Sequence, residues 1–154
     1  MKEYIEKIGD LSLTKCSDPS EWKAVKYFRN KYFFEPIGIS DPYTWSFDSP
    51  QHAHLLLYQN EQVIGYAAIQ FWNDARAALR MIVIDEDKRR HSYGRQFLEL
   101  CEKWLRSLHV KSLHVESRPT SLDFYLKNGY VVMPFDDPDG YESDPQDIAV
   151  GKRL

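Results

Sequence analysis

The chain has 154 residues, of which 43% are hydrophobic and 14% aromatic, enough to build one compact domain around a sizeable core. Its net charge of −3 gives no general reason to expect a nucleic acid or an anionic membrane as partner. No apolar run approaches the roughly 20 residues that span a bilayer, and the charged N-terminus lacks the apolar centre of a signal peptide. The isolated Cys16 and Cys101 are typical of reduced thiols, so we expect a cytoplasmic protein without disulfides.

The N-terminal third is predicted to contain a strand, a helix and a long irregular segment. Leu11–Lys15 has the pattern of a strand. Ser20–Phe34 has apolar residues at helical spacing, with Asp18 or Ser20 placed to cap the first turn. Glu35–Pro50 is rich in proline and is predicted to be irregular. Its aromatic residues are Tyr43, Trp45 and Phe47. These rings either cover one end of the core or line a substrate pocket.

The middle of the chain is predicted to form an antiparallel meander followed by a helix. His54–Tyr58 and Val63–Trp72 have the pattern of a hairpin, and Ala78–Ile84 is the strand after it. Apolar residues then recur at helical spacing over Tyr93–Leu108 and define one buried face, which includes Cys101.

The C-terminal part is predicted to return to the sheet. Leu113–Glu116 is a short strand, and Pro119–Lys127 is a helix that stops at Asn128-Gly129. Tyr130–Phe135 and Ile148–Leu154 are the closing strands. Because no internal repeat or low-complexity linker interrupts the chain, residues 1–154 are predicted to form a single domain.

The turn between the strand Ala78–Ile84 and the helix Tyr93–Leu108 is a predicted anion site. A helix that starts after a turn of small residues presents several backbone N–H groups at its positive end. Arginine and histidine side chains surround this turn and add the positive charge that a polyphosphate needs. The turn lacks the Gly-Lys-Ser/Thr ending of a Walker loop and the three-glycine spacing of a dinucleotide-binding fold.

Two motifs carry a resemblance to a known family. Arg89 and Gly94 of the turn match the outer positions of the pattern Gln/Arg-x-x-Gly-x-Gly/Ala, and Ser92 stands where the first glycine is usual. The turn thereby resembles the pyrophosphate loop of the GNAT acetyltransferase superfamily. Ser121–Tyr130 is similar to the signature Ala-x-x-Phe-Tyr-x-Lys-x-Gly-Phe. Its identical positions are Phe124, Tyr125, Lys127 and Gly129. One helix and one strand separate the motifs, which fits the superfamily's order of elements.

The resemblance implies a GNAT-like fold, which belongs to the α/β class and has a mixed sheet of the α+β kind. Such a fold has a central, mostly antiparallel sheet, flanked by helices and splayed between strands 4 and 5, here Ala78–Ile84 and Leu113–Glu116. It also implies acetyl-CoA as co-substrate, inserted into that gap, and no metal. A β-bulge N–H near Met81 or Ile82 would face the thioester oxygen. The residues implied for cofactor binding are Met81, Ile82, Val83, Ile84, Arg89, Arg90, His91, Ser92, Tyr93, Gly94, Arg95, Ser117 and Phe124.

The resemblance also implies catalytic roles. Tyr125 is the expected general acid that protonates the departing thiolate. Without the motif it would be interpreted as a tyrosine of the core. The general base is not assigned by the resemblance: Glu116, His114, Glu35 and a chain of water molecules are equal candidates, and Glu116 is taken as the catalytic residue among them. Alternatives are needed because alanines stand at the start of the fourth strand, where members of the superfamily often have a glutamate.

The implied function is acetyl transfer from acetyl-CoA to a primary amine of a small molecule or peptide, by direct attack and without a covalent acyl-enzyme. One alternative is a GNAT-fold module that binds CoA or an acyl-CoA without turnover. Another is an acetyltransferase that acts on a protein or a tRNA, although the net acidity argues against nucleic acid. Asp136–Asp147 holds six acids and no Lys or Arg, so it is either a solvated loop or favours a cationic acceptor. The protein is expected to be a monomer or a homodimer.

Overall fold

The structure, a computed structural model, describes residues 3–139 and 144–154, and in them eight strands form one sheet flanked by helices. The strands are β1 Glu6–Ile8, β2 Leu11–Lys15, β3 His52–Gln59, β4 Gln62–Phe71, β5 Arg76–Ile84, β6 Ser112–Ser117, β7 Val131–Val132 and β8 Ile148–Arg153. The α-helices are α1 Pro19–Arg29, α2 Tyr93–Ser107 and α3 Leu122–Lys127. The shorter helical segments are a π-helix, Asn30–Phe34, and 3₁₀ turns at Glu35–Ile37, Thr44–Asp48, Glu86–Lys88 and Pro119–Ser121. No helix within the described ranges is both long and apolar enough to cross a membrane.

The sheet is open and mostly antiparallel, with the strand order β1-β2-β3-β4-β5-β6-β8-β7. The pairing of β5 with β6 is parallel, because α2 carries the chain from the end of one strand back to the start of the other. The predicted fold class is therefore confirmed. The sequence did not predict β1, since three residues are too few for an alternating pattern to be recognised. With β1 added, the predicted fourth and fifth strands are β5 and β6.

The sheet separates two apolar cores. One face packs against α2 and α3. The other face packs against α1, through Val25 and Phe28. Cys101 is fully buried in the first core, and Cys16 is partly buried beside the second.

The first helix begins at its predicted cap, Asp18, but its α-helical part ends earlier than the periodicity predicts. Regular bonding stops at Arg29, and Asn30–Phe34 continues as a π-helix, whose wider turn closes with a hydrogen bond from the Glu35 N–H. The Tyr32 hydroxyl, in this wider turn, donates a hydrogen bond to the loop that follows β5. The π-helix therefore ties α1 to the end of β5.

The strand predicted over Tyr130–Phe135 is reduced to the two residues of β7. Pro134 has no N–H to contribute to a ladder, which ends the strand. The Phe135 ring then lies on the α1 side of the sheet, where it stacks on His114 with the ring centroids 4.7 Å apart.

Candidate functional site

β5 and β6 diverge after a short parallel ladder. Their last paired residues are Ala78 and His114. Beyond this pair, Met81–Ile84 pairs with β4 alone, and the rest of β6 pairs with β8 alone. One edge of Met81–Ile84 therefore offers backbone N–H and C=O groups to a ligand that enters between the two strands. This divergence is the splay that the sequence predicted.

A β-bulge lies at the edge of this gap. Ala68 of β4 pairs with Met81, whereas the next residue of β4 pairs with Leu79, so Arg80 is an extra residue on β5. The bulge therefore lies directly before Met81, and Ile82 is back in the regular ladder. A backbone N–H at this position is the predicted donor to a thioester oxygen.

The predicted phosphate loop joins β5 to α2 through two residues in the left-handed region, Arg90 with a φ of 69° and Ser92 with a φ of 63°. Ser92 is the N-cap of α2, and its side chain makes no capping hydrogen bond. The first hydrogen bond of the helix runs from the Gln96 N–H to the Ser92 carbonyl at 3.1 Å. The N–H groups of Tyr93–Arg95 consequently have no partner within the helix, which suits an anion.

Two arginines of the loop are already engaged by other residues. Arg89 donates from Nε to the Ile84 carbonyl at 3.0 Å, and its guanidinium lies 5.1 Å from the centre of the Tyr32 ring. This contact fastens the loop to the end of β5. Arg95 forms an exposed ion pair with Glu99 at 3.1 Å. The backbone of the loop is thus better placed than these two side chains to bind a phosphate.

The two sequence motifs meet where α2 and α3 begin. A Cβ added at Gly94 would lie 3.7 Å from the Phe124 ring, so Phe124 packs against the first turn of α2. The Phe124 ring also contacts Tyr125 edge-on, with the centroids 5.2 Å apart. In the loop itself, His91 contacts the ring of Tyr93, with the centroids 5.6 Å apart.

We expect Ser92→Gly to keep both the fold and cofactor binding. A residue with a side chain is strained in the left-handed region by about 1–2 kcal/mol, and glycine is not. Because glycine also loses more backbone freedom on folding, the net gain in the free energy of unfolding should be at most about 1 kcal/mol. Ser92→Ile, β-branched at the same position, is the matched control and should lose stability. Urea unfolding measures both changes, and a clearly less stable Ser92→Gly protein would contradict the expectation.

Tyr125 lies on the α2–α3 side of the sheet and is only 5% exposed. Its ring contacts Tyr130 edge-on, with the centroids 5.5 Å apart. Its hydroxyl makes no hydrogen bond to any residue that the structure describes. Burial raises the pKa of Tyr125 to about 12, and the neighbouring Cys101 thiol adds to the effect. The hydroxyl is therefore protonated at neutral pH and has a proton to donate.

The three side chains considered as general base occupy different places. Glu116 is half-buried and lies two residues beyond His114, the last residue of β6 that pairs with β5, and its carboxylate has no ion-pair or hydrogen-bond partner within the described residues. His114 is covered by Phe135, and its Nε2 lies 2.8 Å from the Ser112 hydroxyl. Burial, with Arg76 nearby, lowers the pKa of His114. Glu35 is exposed, in a 3₁₀ turn after α1. Glu116 is thus the candidate that the structure places at the gap.

Ser117 ends β6 and is buried. Its hydroxyl donates to the Arg118 carbonyl at 2.9 Å, and its backbone is aligned with Ile148 of β8. The side chain that the resemblance assigns to the cofactor is therefore turned to its own chain. The part of Ser117 that can face the gap is its backbone, on the side away from β8.

A buried polar network holds the irregular segment between α1 and β3 against the α1 side of the sheet. Arg29 pairs with Asp41 at 2.6 Å and donates to the Tyr66 hydroxyl at 2.9 Å. That hydroxyl donates to His54 Nδ1 at 2.7 Å, and His54 Nε2–H donates to the Ser46 carbonyl at 3.1 Å, a tautomer assigned from the network. Burial lowers the pKa of His54 to about 4, so its imidazole is neutral.

Two cavities open beside this segment. The larger holds about 420 Å³ and is lined mainly by polar residues, Lys26, Asn30, Glu35, Ile39, Ser40, Asp41 and Thr44. The smaller holds about 300 Å³ and includes Phe47, which also packs against Trp22 and His54. Trp45, in contrast, is 61% exposed. Phe47 fits both interpretations of the aromatic rings, because it packs on the core and also lines a cavity. Trp45 is too exposed to cover the core.

Two acids of the Asp136–Asp147 segment are paired within the chain. Asp137 accepts a hydrogen bond from the Arg80 guanidinium at 2.9 Å, and Asp139 accepts one from the Gln70 amide at 2.8 Å. Residues 140–143 lie outside the described part of the chain. The segment is therefore bound to the sheet through its first half, and these two carboxylates are not free to attract a cation.

Sequence analysis missed the importance of Arg29 and Arg80. The signal was present, because each is a charged residue in an otherwise apolar pattern, Arg29 on the buried face of α1 and Arg80 in the strand β5. A buried charge requires a partner close by. The sequence does not show that these partners are Asp41 and Asp137.

Comparison with known proteins agrees with this architecture. A profile described as the acetyltransferase (GNAT) family matches residues 22–130. A candidate N-acetyltransferase from Lactobacillus plantarum has a TM-score of 0.76 and 22% identity, over 95% of this chain and 99% of that one. PaiA N-acetyltransferase from Thermoplasma acidophilum, in complex with coenzyme A, has a TM-score of 0.68 and 15% identity, over 95% and 100%. The ribosomal-protein-S18-alanine N-acetyltransferase from Escherichia coli has a TM-score of 0.71 and 19% identity, over 93% of both chains.

At these identities the solved structures show a shared fold and no more. A search of curated proteins gives no significant match. The family profile covers well over half of the chain, from Trp22 in α1 to Tyr130, three residues beyond α3, and includes both sequence motifs. The chain belongs to the acetyltransferase (GNAT) family.

Proposed function

We propose that the protein is an acetyl-CoA-dependent N-acetyltransferase that moves the acetyl group to a primary amine of a small molecule or peptide. The attack is direct, without a covalent acyl-enzyme. The observation that carries the proposal is the gap between β5 and β6. It is bordered by the free backbone edge of Met81–Ile84, and β5 leads from it to the phosphate loop. An extended cofactor with amide groups and a pyrophosphate needs such a path.

Acetyl-CoA would bind chiefly to backbone groups. Its pantetheine amides would pair with the free edge of Met81–Ile84, as an added strand does. Its pyrophosphate would lie on the N–H groups of Tyr93–Arg95, at the positive end of α2. A bulge N–H next to Arg80 would bind the thioester oxygen and stabilise the oxyanion that forms there. The Thermoplasma acidophilum structure, which contains coenzyme A, supports this choice of cofactor.

The reaction moves one proton from nitrogen and one to sulfur. The amine nitrogen attacks the thioester carbon, the C–S bond breaks, and an amide and free CoA thiol result. Glu116, on the α1 side of the sheet, accepts the proton that the nitrogen loses, directly or through water. Tyr125, on the opposite side, donates a proton to the sulfur. Exchange with solvent then restores both groups, so the enzyme is unchanged after each turnover.

The raised pKa of Tyr125 determines when its proton moves. Its value of about 12 lies about 3.5 above that of an ordinary thiol, so protonation of a fully formed thiolate costs roughly 5 kcal/mol. Because the sulfur reaches its full basicity only when the C–S bond is broken, the proton moves late, and the tyrosinate that forms soon regains a proton from solvent. The same high pKa keeps the hydroxyl protonated across the whole physiological pH range.

The acceptor amine is proposed to approach from the α1 side. The 420 Å³ cavity on this side is lined mainly by polar residues and includes Glu35, whose carboxylate has no partner within the described residues. Together with Asp144 and Asp147, which have no ion-pair partner among the described residues, this carboxylate favours a cationic acceptor. The Escherichia coli structure, that of a ribosomal-protein-S18-alanine N-acetyltransferase, supports an amine as acceptor.

The test combines the purified protein, acetyl-CoA and a panel of primary amines. The panel contains polyamines, aminoglycosides, lysine-containing peptides and, as anionic controls, acidic amino acids. Release of CoA thiol gives the rate, and mass spectrometry of the amine identifies the product. We expect turnover with at least one cationic amine. Binding of acetyl-CoA without turnover of any amine would instead favour a module that binds acyl-CoA without catalysis, and turnover of anionic amines alone would reject the cationic acceptor.

Acetyl-CoA is expected to stabilise the fold. A ligand that binds only the native state at 100 times its Kd raises the free energy of unfolding by about 2.7 kcal/mol. For a chain of this length, that corresponds to a rise in Tm of roughly 5–10 °C. Differential scanning calorimetry measures the shift, with pantetheine, which lacks the pyrophosphate, as the control ligand. A Tm that does not move with millimolar acetyl-CoA or CoA would reject the proposed cofactor.

A further inference from the structure

Four residues close a ring of hydrogen bonds on the α1 side of the sheet. Arg80 donates from Nε to the Gln70 amide oxygen at 3.0 Å, and the Gln70 amide nitrogen donates to Asp139 at 2.8 Å. The Asp139 backbone N–H donates to one oxygen of Asp137 at 2.9 Å, and the other oxygen accepts from the Arg80 guanidinium at 2.9 Å. We call this ring the acidic clamp. It joins β4, β5 and the segment after β7.

The acidic clamp is centred on the bulge of β5. Arg80 is the residue that has no counterpart on β4, and it lies two residues beyond Ala78, where the pairing with β6 ends. The Asp137 side chain is only 7% exposed, and that of Arg80 is 24% exposed. This ion pair is partly buried, and each polar group of the ring is hydrogen-bonded to the next. Such a pair holds its side chains in place more firmly than a surface ion pair does.

The segment that carries the two aspartates is itself anchored. The Phe135 ring stacks on His114 and contacts Trp72 edge-on, with centroids 4.7 and 5.3 Å apart. Arg76 donates to the Asp136 carbonyl at 2.9 Å. Asp137 therefore approaches Arg80 from a fixed position, and does not sit on a free loop.

We propose that Asp137 is a positioning residue for acetyl transfer: by holding the Arg80 side chain on the α1 side of the sheet, it fixes the bulge, so that the bulge N–H is directed at the thioester oxygen. This inference rests on the proposed function. The extra residue of a bulge can be absorbed in more than one way, and the direction of its side chain selects one of them. Oxyanion stabilisation depends on donors that are already in place before the reaction, so a loosely held donor contributes less.

The first test uses the protein without any ligand. In Asp137→Asn, which replaces a carboxylate by an amide of nearly the same size, the amide hydrogens of Arg80 and Met81 should exchange with solvent at least about tenfold faster than in the wild type. Asp136→Asn is the matched control, because its side chain has no hydrogen-bond partner in the described residues and only its carbonyl is used. It should leave both rates unchanged. Equal exchange in Asp137→Asn and the wild type would overturn the proposal that the acidic clamp fixes the bulge.

The second test examines the bound thioester directly. Infrared difference spectra of acetyl-CoA labelled with ¹³C at the carbonyl report hydrogen bonding to its oxygen, and they do not require the acceptor to be known. We expect a lowered carbonyl frequency in the wild type and in Asp136→Asn, and a frequency closer to that of free acetyl-CoA in Asp137→Asn. The Kd for acetyl-CoA should change less than twofold, and kcat with any accepted amine should fall roughly tenfold or more.

The outcomes distinguish a failure of the proposed function from a failure of the positioning role of Asp137. If acetyl-CoA does not bind the wild type, the proposed function fails, and the catalytic part of this inference fails with it. If it binds and the carbonyl frequency is the same in Asp137→Asn and the wild type, the positioning role is rejected while the proposed function stands. A parallel fall in Tm, in affinity for acetyl-CoA and in kcat would show that Asp137 merely stabilises the fold.

Discussion

Replacing Tyr125 with phenylalanine is expected to lower kcat by a factor of roughly 10²–10⁴, the usual contribution of a positioned general acid. The ring and its contacts with Phe124 and Tyr130 are kept, and only the hydroxyl is lost. Because that hydroxyl has no hydrogen bond to lose in the described residues, the free energy of unfolding should change by well under 1 kcal/mol. The Kd for acetyl-CoA should also be nearly unchanged, since the hydroxyl acts mainly in the transition state.

Tyr130→Phe is the matched control for this experiment. Tyr130 is buried next to Tyr125, but its hydroxyl donates to the buried Glu102 at 2.7 Å. Its removal leaves a buried carboxylate with one bond fewer, so it should cost about 1–3 kcal/mol of stability and leave kcat almost intact. Stopped-flow and steady-state kinetics, run with thermal melts, distinguish the two variants. Wild-type activity in Tyr125→Phe would remove the acid role from Tyr125.

Gly94→Val is expected to abolish CoA binding, with a loss of at least about 100-fold in affinity, while the fold persists. Gly94 lies in the first turn of α2, among the N–H groups that have no partner in the helix. Valine adds two methyl groups beyond Cβ and prefers a single rotamer in a helix, so it cannot turn both methyls away from a bound pyrophosphate. Isothermal titration calorimetry with CoA measures the loss, and circular dichroism verifies the fold.

Gly94→Ala tests whether the expected loss of CoA binding in Gly94→Val comes from the size of the side chain or from the loss of glycine. A Cβ at this position would meet the nearest atom, in the Phe124 ring, at 3.7 Å, which is ordinary van der Waals contact. Alanine also raises helix propensity by up to about 1 kcal/mol. We therefore expect Gly94→Ala to fold at least as well as the wild type and to bind CoA with similar affinity. If Gly94→Val binds CoA as the wild type does, the start of α2 is not the phosphate site.

Periodicity was sufficient to predict most of the elements that build the site. The strand before the phosphate loop, the helix after it and the hairpin of β3 and β4 were all predicted within a few residues of their observed ends. These segments are long, and their apolar positions follow one period throughout. Short or irregular segments gave no such signal. β1 has three residues, and β7 ends at two because Pro134 and Phe135 take the chain out of the ladder.

The parts of the site that the sequence could not predict depend on pairing between distant residues. Arg29 and Asp41 are separated by 11 residues that form the π-helix, a 3₁₀ turn and a short loop, and Arg80 and Asp137 by more than 50 residues. The register shift at Arg80 changes the phase of the alternation, but β5 is apolar on both faces, so its sequence does not reveal the shift. These features follow from tertiary packing, in which a buried charge takes the partner that the fold brings near it.

The short ladder between β5 and β6 has a mechanical consequence. Only three residue pairs join β5 to β6, so we expect the two plates β1–β5 and β6–β8 to shift against each other more readily than the strands within either plate do. The angle between the plates is set by side chains of the core below, where Leu113 and Val115 of one plate share a cluster with Leu79 of the other and Phe97 of α2. Changes of volume in that core would alter the width of the cleft without breaking strand pairing. We therefore expect substitutions in that core to change the length of the acyl chain that the gap accepts, although these residues would not touch the ligand.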